Sequence, residues 1–168
     1  MKAIVYTSNT GTTAQYAQLL GRTSGLPVFS ADEAKKTLPE RAEIVYLGWL
    51  MAGSVQGCRA AAARYTVRAV CAVGMGKSGS QLDEVRKKNA IPAEVPLFTL
   101  QGGFDLARLR GVYRLMMVIM AKTAGRALAA KDTRTPEEDD MLALLQHGGS
   151  RVCAENLDGV LAWLESAE

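Results

Sequence analysis

The chain has 168 residues, 48% hydrophobic and 22% charged, a balance that suits one globular domain and excludes a disordered or low-complexity chain. Lys and Arg number 20 against 17 Asp and Glu, and the net charge of +3 is too slight to mark a nucleic-acid binder. Three scattered cysteines (Cys58, Cys71, Cys153) and one histidine, His147, offer neither a disulfide framework nor a zinc-ligand spacing, so Cys58 and Cys71 read as small buried apolar residues.

Strand and helix signals alternate from the first residues. Ala3–Tyr6, Val28–Phe29, Ile44–Leu50, Val67–Val73 and Val95–Leu100 are short apolar runs of the kind buried on both faces of a sheet. Between them lie helix-like stretches at Thr13–Arg22, Ala31–Lys36, Gln56–Arg64 and Gln81–Lys88, the second opened by a Ser30–Glu33 capping box. Five strands separated by four helices predict a parallel sheet covered on both faces. The pattern then changes. Gly102-Gly103 leads into a long helical segment near Leu106–Lys122, so residues 104–133 read as an insertion within a single domain. Leu109, Val112, Tyr113, Met116, Ile119 and Met120 share one face of it, with Arg110, Arg114 and Lys122 off that face. A helix starts at Thr135-Pro136 and ends at Gly148-Gly149, and a last one near Glu155–Glu165 buries Leu157, Val160, Leu161 and Leu164. The start turns polar too soon after Tyr6 for a signal peptide, and the apolar run Leu115–Ala121 falls far short of the ~20 residues of a spanning helix. The expectation is a cytoplasmic protein, with any membrane contact peripheral.

Three glycine-containing loops are the candidate site. The first, Thr7-Ser8-Asn9-Thr10-Gly11-Thr12-Thr13, joins a strand directly to a helix. Its hydroxyls and the free N–H groups of the helix end make an anion cradle, and with no Lys or Arg in it the donors are neutral. The second runs Gly48-Trp49-Leu50-Met51-Ala52-Gly53-Ser54, with Trp49 a flat stacking surface or an ordinary core residue at a strand end. The third, Gly74-Met75-Gly76-Lys77-Ser78-Gly79, mimics two nucleotide motifs and fails both. It follows the fourth strand, no acid stands at the end of the next, and Cys71 occupies the P-loop's first glycine position.

The run Ile4-Val5-Tyr6-Thr7-Ser8-Asn9-Thr10-Gly11-Thr12-Thr13-Ala14-Gln15-Tyr16-Ala17-Gln18-Leu19-Leu20 resembles the flavodoxin FMN-phosphate signature throughout. That resemblance implies a flavodoxin-like three-layer α/β sandwich with a five-stranded parallel sheet in the order 2-1-3-4-5. It implies that FMN binds where the order reverses, with Ser8, Asn9, Thr10, Gly11, Thr12 and Thr13 around its phosphate. Trp49, Leu50, Met51, Ala52 and Gly53 would lie on one side of the ring, and Gly74, Met75 and Gly76 on the other. Gly53 permits the positive φ that a peptide flip at the ring requires. Met75 departs from the aromatic that many flavodoxins carry.

The tail, Phe98–Leu106 followed by Val112–Lys122, resembles the insertion of menaquinone-dependent protoporphyrinogen IX dehydrogenases, which related flavodoxin-domain proteins also carry. The resemblance implies an FMN-dependent oxidoreductase acting on an anionic aromatic or quinone-type substrate, with no catalytic side chain beyond the flavin. The alternative is a flavodoxin-type electron carrier serving a redox partner protein. Such carriers are usually acidic, whereas this chain is net positive. A binding module that has lost FMN is a third reading, against which the intact Ser8–Thr13 loop stands.

Overall fold

The computed structural model describes residues 1–104, 109 and 111–167. Arg108, Arg110 and the expected start of the inserted helix at Leu106 lie outside the described residues.

Four strands run parallel beside one another from the chain's first two-thirds: β1 (Ala3–Thr7), β2 (Val28–Ser30), β3 (Glu43–Met51) and β5 (Thr66–Gly74). β6 (Leu97–Gln101) adds a fifth, giving the order β2-β1-β3-β5-β6. The sheet has six strands rather than the expected five. β4 (Ser54–Val55) folds back antiparallel on the end of β3, and a separate ribbon pairs β7 (Gly103–Phe104) with β8 (Gly149–Ser150). The architecture is α/β, a mostly parallel open sheet flanked by helices, and is compatible with a flavodoxin-like fold.

Period-two alternation sends the strand residues into two cores. Val5, Ile44, Tyr46, Val70 and Ala72 pack with Ala34 of α2 (Ala31–Thr37), Cys58 and Ala61 of α3 (Cys58–Arg64) and Val85 of α4 (Leu82–Asn89). Ile4, Val45, Leu47, Ala69, Cys71 and Val73 pack with Tyr16, Ala17 and Leu20 of α1 (Thr12–Ser24). The same core takes Val160 and Leu164 of the last helix, α7 (Asp158–Ser166), which a short 3-10 turn at Glu155–Leu157 precedes. The capping box at Ser30 forms as expected: its hydroxyl accepts the Glu33 N–H, and the Glu33 carboxylate accepts the Ser30 N–H.

The insertion carries α5 (Gly111–Ala129), which runs well past the expected end at Lys122, followed by α6 (Pro136–His147) with a second capping box at Thr135 and Glu138. Residues 123–129 are mostly good helix formers, and no breaker stops the helix at Lys122. The residues expected to share one face are not buried together. Leu109 is buried with Leu144, Met75 and Met117, whereas Val112, Met116 and Ile119 are exposed. α6 lies along the Met117 side of α5, so that side packs and its opposite stays bare.

Candidate functional site

Parallel pairing brings the carboxyl ends of β1, β3, β5 and β6 to one edge. Thr7 stands beside Gly48, Trp49 beside Val73, and Gly74 beside Gln101. The order reverses between β1 and β3, where a ligand crevice is expected in an open α/β sheet. All three glycine-containing loops therefore meet at one end of the sheet.

The first loop feeds α1 through Gly11, whose φ of 103° is open to glycine and strained for other residues. Its N–H donates to the Ser8 hydroxyl at 3.2 Å, and its carbonyl accepts the Gln15 N–H. Among the described residues no side chain caps α1. The N–H groups of Thr12, Thr13 and Ala14, which no helical carbonyl can reach, thus keep their donors and the positive dipole end for an anion. Thr12 is committed to the Gly103 carbonyl at 3.5 Å. Thr13 is 1% exposed and its hydroxyl has no partner among the described residues. Such a sealed, unpaired hydroxyl costs about 1–3 kcal/mol unless something satisfies it.

A cleft of about 430 Å³ opens beside this loop, lined by Tyr6 to Gly11, Ala14 and, from the β2–α2 junction, Ser30, Ala31 and Asp32. Thr12 and Thr13 do not line it. Among the described residues no Lys or Arg lines it either, and Asp32 sits in an exposed pair with Lys35 at 3.2 Å. Tyr6, Ala14, Ala31, Ser30 and Asp32 are the members that sequence reading did not assign to the site. The signal for the last two was available, because β2 must neighbour β1 once the chain returns through α1. Under the loop, the Tyr46 hydroxyl donates to the Gln56 carbonyl (2.7 Å) and accepts from the Thr7 hydroxyl (2.8 Å). Burial pushes the Tyr46 phenol up to about 12.

The second loop is mostly strand. β3 continues through Trp49, Leu50 and Met51, and only Ala52-Gly53 turns, with φ of 47° and 78°. Two positive φ values in a two-residue hairpin make a type I′ turn, in which Gly is at ease and Ala is strained. Gly53 has the positive φ expected of it. The α4 end holds the turn: Asn89 accepts the Val55 N–H (2.7 Å) and donates to the Gly53 carbonyl (2.9 Å), and Lys88 donates to the Ala52 carbonyl. Trp49 is half-buried and meets Tyr113 of α5 edge to face, ring centres 5.4 Å apart at 83°.

The third loop is tied to the insertion. Met75 packs with Leu109, Leu144 and Met117; Lys77 pairs with Glu137 at 3.2 Å; and the Ser78 hydroxyl meets Asn156 at 2.7 Å. Lys77 and Ser78 are thus taken up by contacts with α6 and with Asn156. Asn156 also donates to the buried Tyr16 hydroxyl at 2.6 Å, which itself donates to the Gln101 carbonyl. Burial raises the Tyr16 phenol above its ordinary range.

No protein-family model, no curated protein and no solved structure matches the chain.

Proposed function

We propose that this chain is an FMN-binding, flavodoxin-like redox protein, and an FMN-dependent oxidoreductase of the protoporphyrinogen dehydrogenase-like type. The observation that carries the reading is the uncapped start of α1, with its free N–H groups and positive dipole end, beside a hydroxyl-lined cleft. With the hairpin strand β4 set aside, the parallel strands stand in the order second, first, third, fourth, fifth, as the flavodoxin-like reading requires.

In this reading Ser8, Thr10 and Thr13 donate hydroxyl bonds to the phosphate and the 9–13 backbone donates N–H bonds, with the α1 dipole in place of a basic side chain. Trp49 and the Ala52-Gly53 turn flank one side of the ring, and Gly74, Met75 and Gly76 the other. Bound FMN would supply hydride and electron transfer, so the chain's own residues bind, orient and exclude water. The contact of Tyr113 with Trp49 favours a bound organic substrate over a carrier's partner protein, because the inserted helix covers that edge of the site.

A flavin titration tests this. FMN is expected to bind at micromolar levels or tighter with quenching of its fluorescence. Thr10→Ala with Thr13→Ala should weaken FMN about tenfold or more, two lost charge-assisted bonds, and leave riboflavin, which has no phosphate, unchanged. Equal losses for both ligands, or no binding of either, defeat the assignment. Reduced holoprotein that reacts only with redox proteins, and not with quinones or porphyrinogens, is an electron carrier.

A further inference from the structure

We propose that Asn156 is a positioning residue that locks the third loop, which would face the flavin ring, to α1, which would hold the phosphate. The inference rests on the FMN reading and adds a residue that lies outside all three glycine-containing loops. Asn156 is half-buried in the 3-10 turn Glu155–Leu157. Four residues close a ring of hydrogen bonds there. The Gln101 N–H donates to the Ser78 hydroxyl at 2.9 Å, and Ser78 donates to the Asn156 amide oxygen at 2.7 Å. The Asn156 amide nitrogen donates to the Tyr16 hydroxyl at 2.6 Å, and Tyr16 donates to the Gln101 carbonyl. Each member gives one bond and accepts one, a head-to-tail closure in which each bond polarises the next.

The ring calls for a donor and an acceptor on one short side chain. The Asn156 nitrogen also faces the carbonyls of Arg151 at 3.2 Å and Gln101 at 3.4 Å, which can only accept. The amide NH2 is therefore on that side and the oxygen on the Ser78 side. An Asp carboxylate would set an acceptor against those two carbonyls and break the closure.

The ring's place in the fold gives it a role beyond filling the core. Tyr16 stands one turn inside α1 from Thr12 and Thr13, and Ser78 lies two residues beyond Gly76. β6 holds the loop at both ends: the Gly102 N–H donates to the Gly74 carbonyl at 2.7 Å, and the Gly79 N–H donates to the Thr99 carbonyl at 3.0 Å. Neither bond reaches α1. Among the described residues no other side chain bonds both α1 and the third loop. The Lys77–Glu137 pair is exposed and ties the loop only to α6, with the weak hold of an ion pair in water. FMN spanning the two elements would feel their spacing, and Asn156 fixes it.

Flavin titration of Asn156→Ala, Asn156→Asp and Ser78→Ala tests the proposal, since each breaks the ring and leaves every residue assigned to the phosphate in place. FMN and riboflavin should weaken alike, by about fivefold or more, the scale of one net hydrogen bond. That pattern is the opposite of the one expected for Thr10→Ala with Thr13→Ala, which spares riboflavin. The visible absorption band of bound FMN should move toward that of free FMN, because the groups around the ring tune it. Asn156→Ala combined with Ser78→Ala should match the stronger single variant within about twofold, because one ring can be broken only once. Ser78→Ala deletes a single hydroxyl from a loop and keeps the test readable if the Asn156 variants fail to fold. Variants that melt earlier yet keep the parent FMN affinity and absorption band would make Asn156 a purely structural residue and overturn the proposal. Losses confined to FMN, or losses that add in the double variant, overturn it as well. A parent that binds neither flavin defeats the FMN reading itself, and this inference with it.

Discussion

Thr13 sets stability against function, as a buried hydroxyl with no partner among the described residues. Thr13→Val keeps the branched shape and removes the orphan. The flavin-free protein is therefore expected to gain up to about 1 kcal/mol, read by urea unfolding, while FMN affinity falls. Loss on both counts would mean that the hydroxyl is satisfied by water rather than by a ligand. Two other buried groups set the alkaline limit. Burial pushes the Cys71 thiol up from 9.0 to about 12, and the Tyr46 phenol from 10.0 to about 12. A group whose folded pKa is raised holds its proton more tightly in the folded state. Its contribution is complete below the unfolded pKa and is lost as pH climbs toward the folded value. Stability should accordingly decline from about pH 9 upward, first through Cys71 and then through Tyr46. Cys71→Ala should flatten the first part of that decline in unfolding curves taken across the range. Gly57 is fixed by the same knot: at its φ of 79° a Cβ would fall 2.1 Å from the Tyr46 hydroxyl oxygen and 2.8 Å from that of Thr7.

At the scale of elements, the Ala52-Gly53 hairpin shows what local sequence can and cannot say. Asn89 ties the turn to α4 with bonds at 2.7 and 2.9 Å and also donates to the Val85 carbonyl at 2.7 Å. Asn89→Ala leaves the Val55 N–H and the Gly53 carbonyl unpaired, at an expected cost of about 1–3 kcal/mol. It should also speed amide exchange at Val55, and an unchanged exchange rate would show that the turn holds itself. Capping boxes at Ser30 and Thr135 were legible because donor and acceptor lie three residues apart. The parallel strands were legible because a strand buried on both faces reads as a continuous apolar run. The hairpin was not, since Ala is a poor residue for a positive φ and its support comes from residues 36 positions away. The packed side of α5 was equally hidden: with apolar residues all round, its periodicity names no single inward face, and the choice is made by α6. Of the site, Ser8 to Gly11 were legible from loop chemistry, while Asp32 enters only through the neighbouring strand.

Across the whole molecule, the sheet and its two cores are independent of the inserted helix. Neither core contains a described residue from 105–133, and α5 and α6 meet the rest through the small cluster of Leu109, Leu144, Met75 and Met117, the Tyr113–Trp49 contact and the polar contacts of Glu137 and Asp140 with Lys77, Gln101 and Arg151. Replacing residues 105–133 by a short Gly/Ser linker should therefore leave a cooperatively folding α/β domain. The unfolding free energy should drop by only a few kcal/mol, about that of losing two buried Leu-sized contacts. The three loops differ in what they lose. Ser8 to Thr13 are held by β1, α1 and Gly103 and should keep FMN affinity within several-fold, whereas Met75 loses its packing and Trp49 loses Tyr113. The reaction with an organic substrate should then collapse while FMN stays bound, a separation read by flavin titration and turnover on the same preparation. A deletion that abolishes folding would make the insertion part of the core. One that spares turnover would make the protein an electron carrier.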